Sequence, residues 1–153
     1  MRIDLETIGT VVGGRSEAID DHWGAVEATI ELDGAGITAG ATSGLGDFSH
    51  VEVIYRFHLV EATDITTGAR HPRGRTDWPE VGILAQRAKN WPNRIGVTIC
   101  ELLSVDARSL RVRGLDALAG TPVLDVKPYF SQFGPRGPIR QPAWAEELMR
   151  DYW

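Results

Sequence analysis

Asp125, Lys127 and Tyr129 occupy alternate positions at the end of a short apolar run, Thr121-Pro122-Val123-Leu124-Asp125-Val126-Lys127-Pro128-Tyr129. A turn needs Gly, Pro or Asn, but nothing in turn chemistry asks for Asp-x-Lys-Pro-Tyr, and that excess of reactive groups marks a candidate site. A carboxylate there can accept a proton or orient an amine, and a phenol can stack or donate a hydrogen bond. Asp125 and Lys127 also share one face of an extended chain, so an ordinary ion pair near a sheet edge is the plainer alternative, as packing is for Tyr129. His58 lies near the end of a strongly β-prone run and is a second candidate base, although a strand histidine is more often a core or edge residue. A further dense cluster runs Gln86-Arg87-Ala88-Lys89-Asn90-Trp91-Pro92-Asn93-Arg94-Ile95-Gly96. Pro92 and Asn93 imply a sharp turn whose backbone groups can hold the edge of an adenine-like ring or serve the turn alone.

The elements that must position these groups read as strands. Residues 7–12 form a first strand ended by Gly13-Gly14, and 25–32 alternate with Val26, Ala28, Ile30 and Leu32 on one face. Residues 35–46 are a Gly-rich connection with a short helical turn. The run 51–60 places Val51, Val53, Tyr55, Phe57 and Leu59 together. Residues 61–80 form a long loop of the length that is often functional. Strands follow at 81–85, 94–105, 109–113 and 121–126, with Asp106-Ala107-Arg108 as a hairpin turn. From Gln132 the chain is Pro/Gly-rich and then helical, with Pro142 at the first helical position and Trp144, Leu148 and Tyr152 on one face. About seven strands, one terminal helix and no βαβ rhythm predict a mainly β fold. The expected form is a small antiparallel β-barrel or curled sheet with a short C-terminal helix, one domain over residues 1–153.

The 153 residues are 42% apolar and 24% charged, ordinary for a globular protein. No run approaches a membrane span and the start is no signal peptide, so a cytoplasmic protein is expected. The lone Cys100 sits in an apolar strand and is expected in the core. The four histidines, His22, His50, His58 and His71, do not share a metal-ligand spacing, and no metal is expected. There is no dinucleotide fingerprint, phosphate-binding P-loop or nucleophile elbow. Net charge is −5, but residues 1–69 carry three Arg against twelve acids while 70–113 carry nine basic residues against four acids. That middle third can attract a polyanion or pair with the acidic first third.

The two clusters resemble the TrmO-like (VirR/YaeB-like) family of tRNA threonylcarbamoyladenosine N6-methyltransferases, in a short form. The family pattern is roughly G-x-F-A-T-R-S-x-x-R-P-N-P-I-G, then L-D-x-x-D-G-T-P-V-x-D-I-K-P-Y. Here it stands as Gly82 to Gly96 and Leu115-Asp116-Ala117-Leu118-Ala119-Gly120 followed by the run already quoted. Ile8-Gly9 and Gly44-Leu45-Gly46-Asp47-Phe48-Ser49-His50, leading into Phe57-His58, also match. The resemblance implies an S-adenosylmethionine-dependent methyltransferase on a small β-barrel, usually a homodimer with cofactor close to the subunit interface. It implies cofactor contacts from Asp21-His22-Trp23, His58, Arg87, Trp91 with Asn93 beside it, and the loop Ala117, Leu118, Ala119 and Gly120. Asp125, Lys127 and Tyr129 would face the reacting centre, with Asp125 or His58 taking the proton and Tyr129 placing the base. Arg70, Arg73, Arg75 and Arg94 would meet phosphate or carboxylate. The sequence departs from the pattern at Asp21-His22-Trp23, where the family has Pro-Arg-Gln, and at Trp91, Arg94 and Ala119. No counterpart of the long members' extra C-terminal domain is expected. Three functions therefore stand side by side: methylation of tRNA, methylation of a small molecule on the same scaffold, and cofactor binding without catalysis.

Overall fold

Alternation of apolar and polar side chains builds a closed barrel. The computed structural model describes residues 1–34 and 36–153; Ala35, in the expected connection 35–46, lies outside the described residues. The strands are β1 (Gly9–Val12), β2 (Glu27–Glu31), β3 (His50–Arg56), β4 (Ala69–Arg70), β5 (Val81–Gly82), β6 (Ile95–Asp106), β7 (Ser109–Arg113) and β8 (Pro122–Pro128), and α1 (Ala143–Met149) ends the chain. The barrel order is β1-β2-β7-β6-β3-β8, closed by β8 on β1, with every neighbouring pair antiparallel. β4 and β5 form a separate two-stranded ribbon. Among the described residues no helix is long and apolar enough to cross a membrane.

Val11, Ile30, Val51, Val53, Leu110, Val112 and Val123 point inward and are sealed from solvent. Closure leaves the barrel's strands no open edge. The expected hairpin between β6 and β7 is present, with Ala107 and Arg108 as its two loop residues. Cys100 is in the core as expected, and burial, followed by the nearby Asp116 charge, pushes its thiol up to about 12.

Two expected strands end early. β3 stops at Arg56 and does not continue to Val60, because β6 begins at Ile95 and offers no ladder beyond it. The Phe57 N–H instead donates to the Arg94 carbonyl at 2.8 Å, and Leu59, expected inward, is 62% exposed. Residues 81–85 pair only as far as Gly82, since β4 is two residues long, and Ile83–Ala85 become a 3-10 turn.

Gly96 sits directly across from Tyr55 in the β3–β6 ladder, and a Cβ there would run into the Tyr55 ring. The bare backbone is what lets this buried ring lie flat in the barrel mouth. Gly96→Ala is expected to lower stability by about 2 kcal/mol, measured by urea denaturation; an unchanged midpoint would mean the ring has room to move.

Candidate active site

In an antiparallel barrel the ends of β1, β3 and β7 share one rim with the starts of β2, β6 and β8. The loops there bring together groups far apart in sequence. At their centre is Asp116, half-buried in the loop between β7 and β8. Its Oδ1 accepts a hydrogen bond from the Tyr55 hydroxyl at 2.8 Å and another from the Thr98 hydroxyl, and its Oδ2 accepts from the Tyr152 hydroxyl. Tyr55 also donates to the Asp116 carbonyl at 3.1 Å. Burial, and then the Asp116 charge, raises both phenols well above the ordinary tyrosine value, so both remain donors at neutral pH.

The same loop leads to Gly120 and Thr121. Gly120 has φ +84°, and its would-be Cβ position lies 3.7 Å from His58 Nε2. His58 Nδ1 and the Thr121 hydroxyl are 3.3 Å apart. The amides of Ala119, Gly120 and Thr121 donate to the carbonyls of Arg15, Val11 and Leu118, which fixes this loop against the loop after β1.

The loop after β1 packs alongside. Arg15 donates to the carbonyls of Asp21 at 2.8 Å and His22 at 2.6 Å, and its guanidinium lies 4.2 Å over the buried Trp23 ring. Asp21 receives a bidentate pair from Arg73, at 2.6 and 2.9 Å. His22 has φ +64°, and the amides of His22 and Trp23 donate to the carbonyls of Asp151 and Tyr152. The C-terminal segment is thereby laced to this loop as well as to Asp116. Arg87 donates to the Val97 carbonyl at 2.6 Å, and its charge, like that of Arg73, is felt at the Tyr152 hydroxyl.

The rim thus unites His58, Asp21, His22, Trp23, Arg87, Ala117, Leu118, Ala119, Gly120 and Arg73. Trp91 and Asn93 belong to the adjoining turn, where Trp91 Nε1 donates to the Ile83 carbonyl at 2.9 Å and the Arg94 amide closes the turn onto the Trp91 carbonyl at 3.0 Å. Arg94 donates to the Val60 carbonyl, and Arg75 pairs with Asp77 and lies 4.0 Å over the Trp78 ring. Arg70 differs from these: its Nε is buried and meets no acceptor among the described residues. A buried donor without a partner is costly and calls for a ligand or another explanation.

Asp125, Lys127 and Tyr129 are not brought to this rim by their own chain. They run along β8 toward the opposite one, where the Tyr129 amide donates to the His50 carbonyl at 3.0 Å. Asp125 and Lys127 pair at 2.6 Å on the outer surface, with side chains 48% and 56% exposed. That pairing, with Lys127 donating to Asp125, raises the lysine's pKa.

Sequence reasoning passed over Asp116, Tyr55, Thr98, Tyr152 and Arg15. Asp116 lay inside the quoted Leu-Asp motif, and its charge beside a glycine-bearing loop was the available signal. Nothing local marks Tyr152, whose partner is 36 residues away.

The architecture is that of a small closed antiparallel barrel carrying its polar convergence on one rim. The tRNA-methyltransferase O N-terminal domain family matches residues 20–134, and the chain belongs to that family. A probable S-adenosyl-L-methionine-binding protein of Methanothermobacter thermautotrophicus is 40% identical over 97 residues, 63% of this chain and 66% of that protein. The human tRNA (adenine(37)-N6)-methyltransferase is 31% identical over 99 residues, 65% of this chain and 22% of the relative. A solved structure of TrmO from Pseudomonas aeruginosa superposes with a TM-score of 0.72 at 28% identity, covering 92% of this chain and 62% of that one. The chain therefore spans only part of the length of these relatives.

Asp116→Ala strands the Thr98 and Tyr152 hydroxyls, leaves Tyr55 only the backbone carbonyl, and is expected to cost about 3 kcal/mol or more, against about 1.5 for Tyr152→Phe, which removes one donor to a charged group. Chemical denaturation of both variants measures the difference, and equal losses would reduce the cluster to a single bond. A second outcome concerns pH. The Arg73 hydrogen bonds hold the Asp21 carboxyl below its ordinary 3.8. A depressed carboxylate contributes stability that is complete above its unfolded value and disappears as pH falls through the folded one. Asp21→Asn should therefore flatten the loss of melting temperature on acidification below about pH 5; a parallel decline in variant and wild type would remove Asp21 from that titration.

Proposed function

We propose that this chain binds S-adenosylmethionine at the His58 rim and methylates an adenosine in tRNA, with N6 of the threonylcarbamoyladenosine beside the anticodon as the acceptor. The observation that carries the reading is the convergence of His58, the Gly120 loop and the Asp21–Trp23 loop on one rim, in a chain of this family whose relatives are named for the cofactor and for adenine methylation. The donor set fits. Gly120 has no side chain to block a flat ring beside His58, and Arg87 supplies a cation for a carboxylate. When bound, the cofactor supplies an electrophilic methyl on a sulfonium. The protein's part is to hold the acceptor nitrogen about 3 Å from that methyl and in line with the sulfur. The N6 proton is acidified by the adjoining carbonyl, so a modest base suffices. His58 Nε2 has no protein partner among the described residues and is free for that role, with Asp125 the other candidate.

The rim geometry bears on the oligomer. Asp125 lies four residues along β8 from Thr121, roughly 13 Å for an extended chain, and further residues separate His58 from Tyr129. We therefore propose a homodimer in which Asp125, Lys127 and Tyr129 of one copy serve the His58 rim of the other. Arg70, whose Nε is buried without an acceptor among the described residues, is a proposed phosphate contact that must open to solvent to serve. Arg73, Arg75 and Arg94 already have protein partners, and this favours a small-molecule acceptor as the second reading.

Titration calorimetry with S-adenosylmethionine, followed by labelled-methyl transfer into bulk tRNA, tests the proposal. Micromolar cofactor binding with incorporation supports it. Binding without incorporation favours the small-molecule acceptor, and no binding ends the methyltransferase reading. For the shared site, His58→Ala and Asp125→Asn should each be nearly inactive, and Asp125→Asn should hold cofactor within about tenfold of wild type. Mixed and reassembled, the two variants should recover about a quarter of wild-type activity, the share expected of two-fold symmetric pairs. No recovery would place both residues in one chain's site.

A further inference from the structure

The rim opposite His58 carries exposed aromatic surface that the barrel core does not use. Phe48, just before β3, and Phe130, just after β8, lie stacked with centroids 5.3 Å apart and planes 12° from parallel. Phe133 meets Phe130 edge-on at 6.2 Å. Phe130 is 44% exposed and Phe133 85%. The arrangement is built by the backbone: the Tyr129–His50 hydrogen bond brings the two segments together, and the 3-10 turn Ser131–Phe133, closed by the Phe133 amide on the Phe130 carbonyl at 2.9 Å, turns Phe133 outward.

The segment that carries Phe130 and Phe133 differs in charge from the protein as a whole. Net charge is −5 overall, yet from Val126 to Ala145 the chain carries Lys127, Arg136 and Arg140 and no acid. Both arginines are exposed. Asp47, exposed beside Phe48, Asp125, already paired with Lys127, Glu52, opposite Lys127 in the ladder, and Glu101, opposite His50, border the shelf on its barrel side. Exposed apolar rings on a Pro/Gly-rich segment whose own charged side chains are all cations match the chemistry that holds unpaired bases, since every base has a face to stack and a phosphate to neutralise.

We propose that Phe48, Phe130 and Phe133, with Arg136 and Arg140, form a stacking platform for unpaired bases of an RNA acceptor. The inference rests on the tRNA reading above and adds to it a second binding surface outside the methyl-transfer rim. On one chain β8 separates the platform from the His58 rim by roughly 23 Å, and in the proposed homodimer the platform borders the rim of the other copy, which Tyr129 enters.

The test is fluorescence anisotropy of the full chain with a labelled anticodon stem-loop and with a blunt duplex of the same stem. Phe133→Ala should weaken stem-loop binding about tenfold, with duplex binding, melting temperature and S-adenosylmethionine titration unchanged. Phe133→Trp should retain it. Arg136→Ala with Arg140→Ala should make the salt dependence shallower by about one to two counterions, on the order of one for each phosphate left unneutralised. Wild-type affinity in Phe133→Ala would overturn the platform alone. Conversion of a dimer to monomer by that substitution, seen in light scattering, would overturn it in favour of self-association. A wild-type chain that binds no stem-loop at all would overturn the platform together with the tRNA reading. Stem-loop binding that depends on Phe133 without methyl transfer would leave the platform standing and remove only the catalytic reading.

Discussion

A half-buried carboxylate has to be compensated, and Asp116 is compensated by hydroxyls from three places: Tyr55 on β3, Thr98 on β6 and Tyr152 at the end of the chain. Leaving any of these donors or the acceptor unpaired would carry a desolvation penalty, so the segments are mutually fixed. The loop between β7 and β8 is set by Asp116 near its start, and through it Gly120 and Thr121 are set against His58. The tail held by Tyr152 in turn accepts hydrogen bonds from His22 and Trp23. The geometry of the whole rim descends from one side chain that takes no obvious part in the chemistry.

The barrel divides labour by direction. With all neighbours antiparallel, each connection belongs to one rim or the other. The rim of Asp116 is polar, with Arg15, Arg73 and Arg87 committed to carbonyls and a carboxylate. The other rim carries aromatic rings in solvent where β8 ends. A chain built this way can meet a small ligand at one end and a large one across both, provided the large one, or a second copy, spans the strand length between them.

Much of the barrel was legible because alternation is a local signal. β2, β7 and the hairpin at Ala107 and Arg108 are legible in the local sequence, as are the half-buried Trp144 and Leu148 of α1, but the helix ends at Met149 and Tyr152, expected on the same helical face, lies beyond it. The end of β3 was not legible, since a β-prone run continues to Val60 while the ladder depends on where β6 begins. The brevity of β5 was hidden for the same reason: its limit is set by β4. In the candidate site, the Gly120 loop and His58 announced themselves by composition and by family pattern, and the fold brings them together. The Asp116 cluster did not, because its partners are joined only by the closed topology. Nor does a sequence reveal that β8 carries Asp125 and Lys127 away from the rim on which His58 lies.

The register shift between β3 and β8 gives the outward facing of that pair its cause. Val51 and Val53 stand opposite Pro128 and Val126, but Tyr55 stands opposite Val123, so Leu124 is an extra residue on β8. In a regular strand Val123 would share a face with Asp125 and Lys127. The bulge turns half of the strand inward to the core and leaves the other half free to present charge outside. A strand with two facings joined at one residue can absorb substitutions on either side, but an insertion or deletion within it would exchange core for surface along its length. Length, more than composition, is what descent in this segment has to conserve.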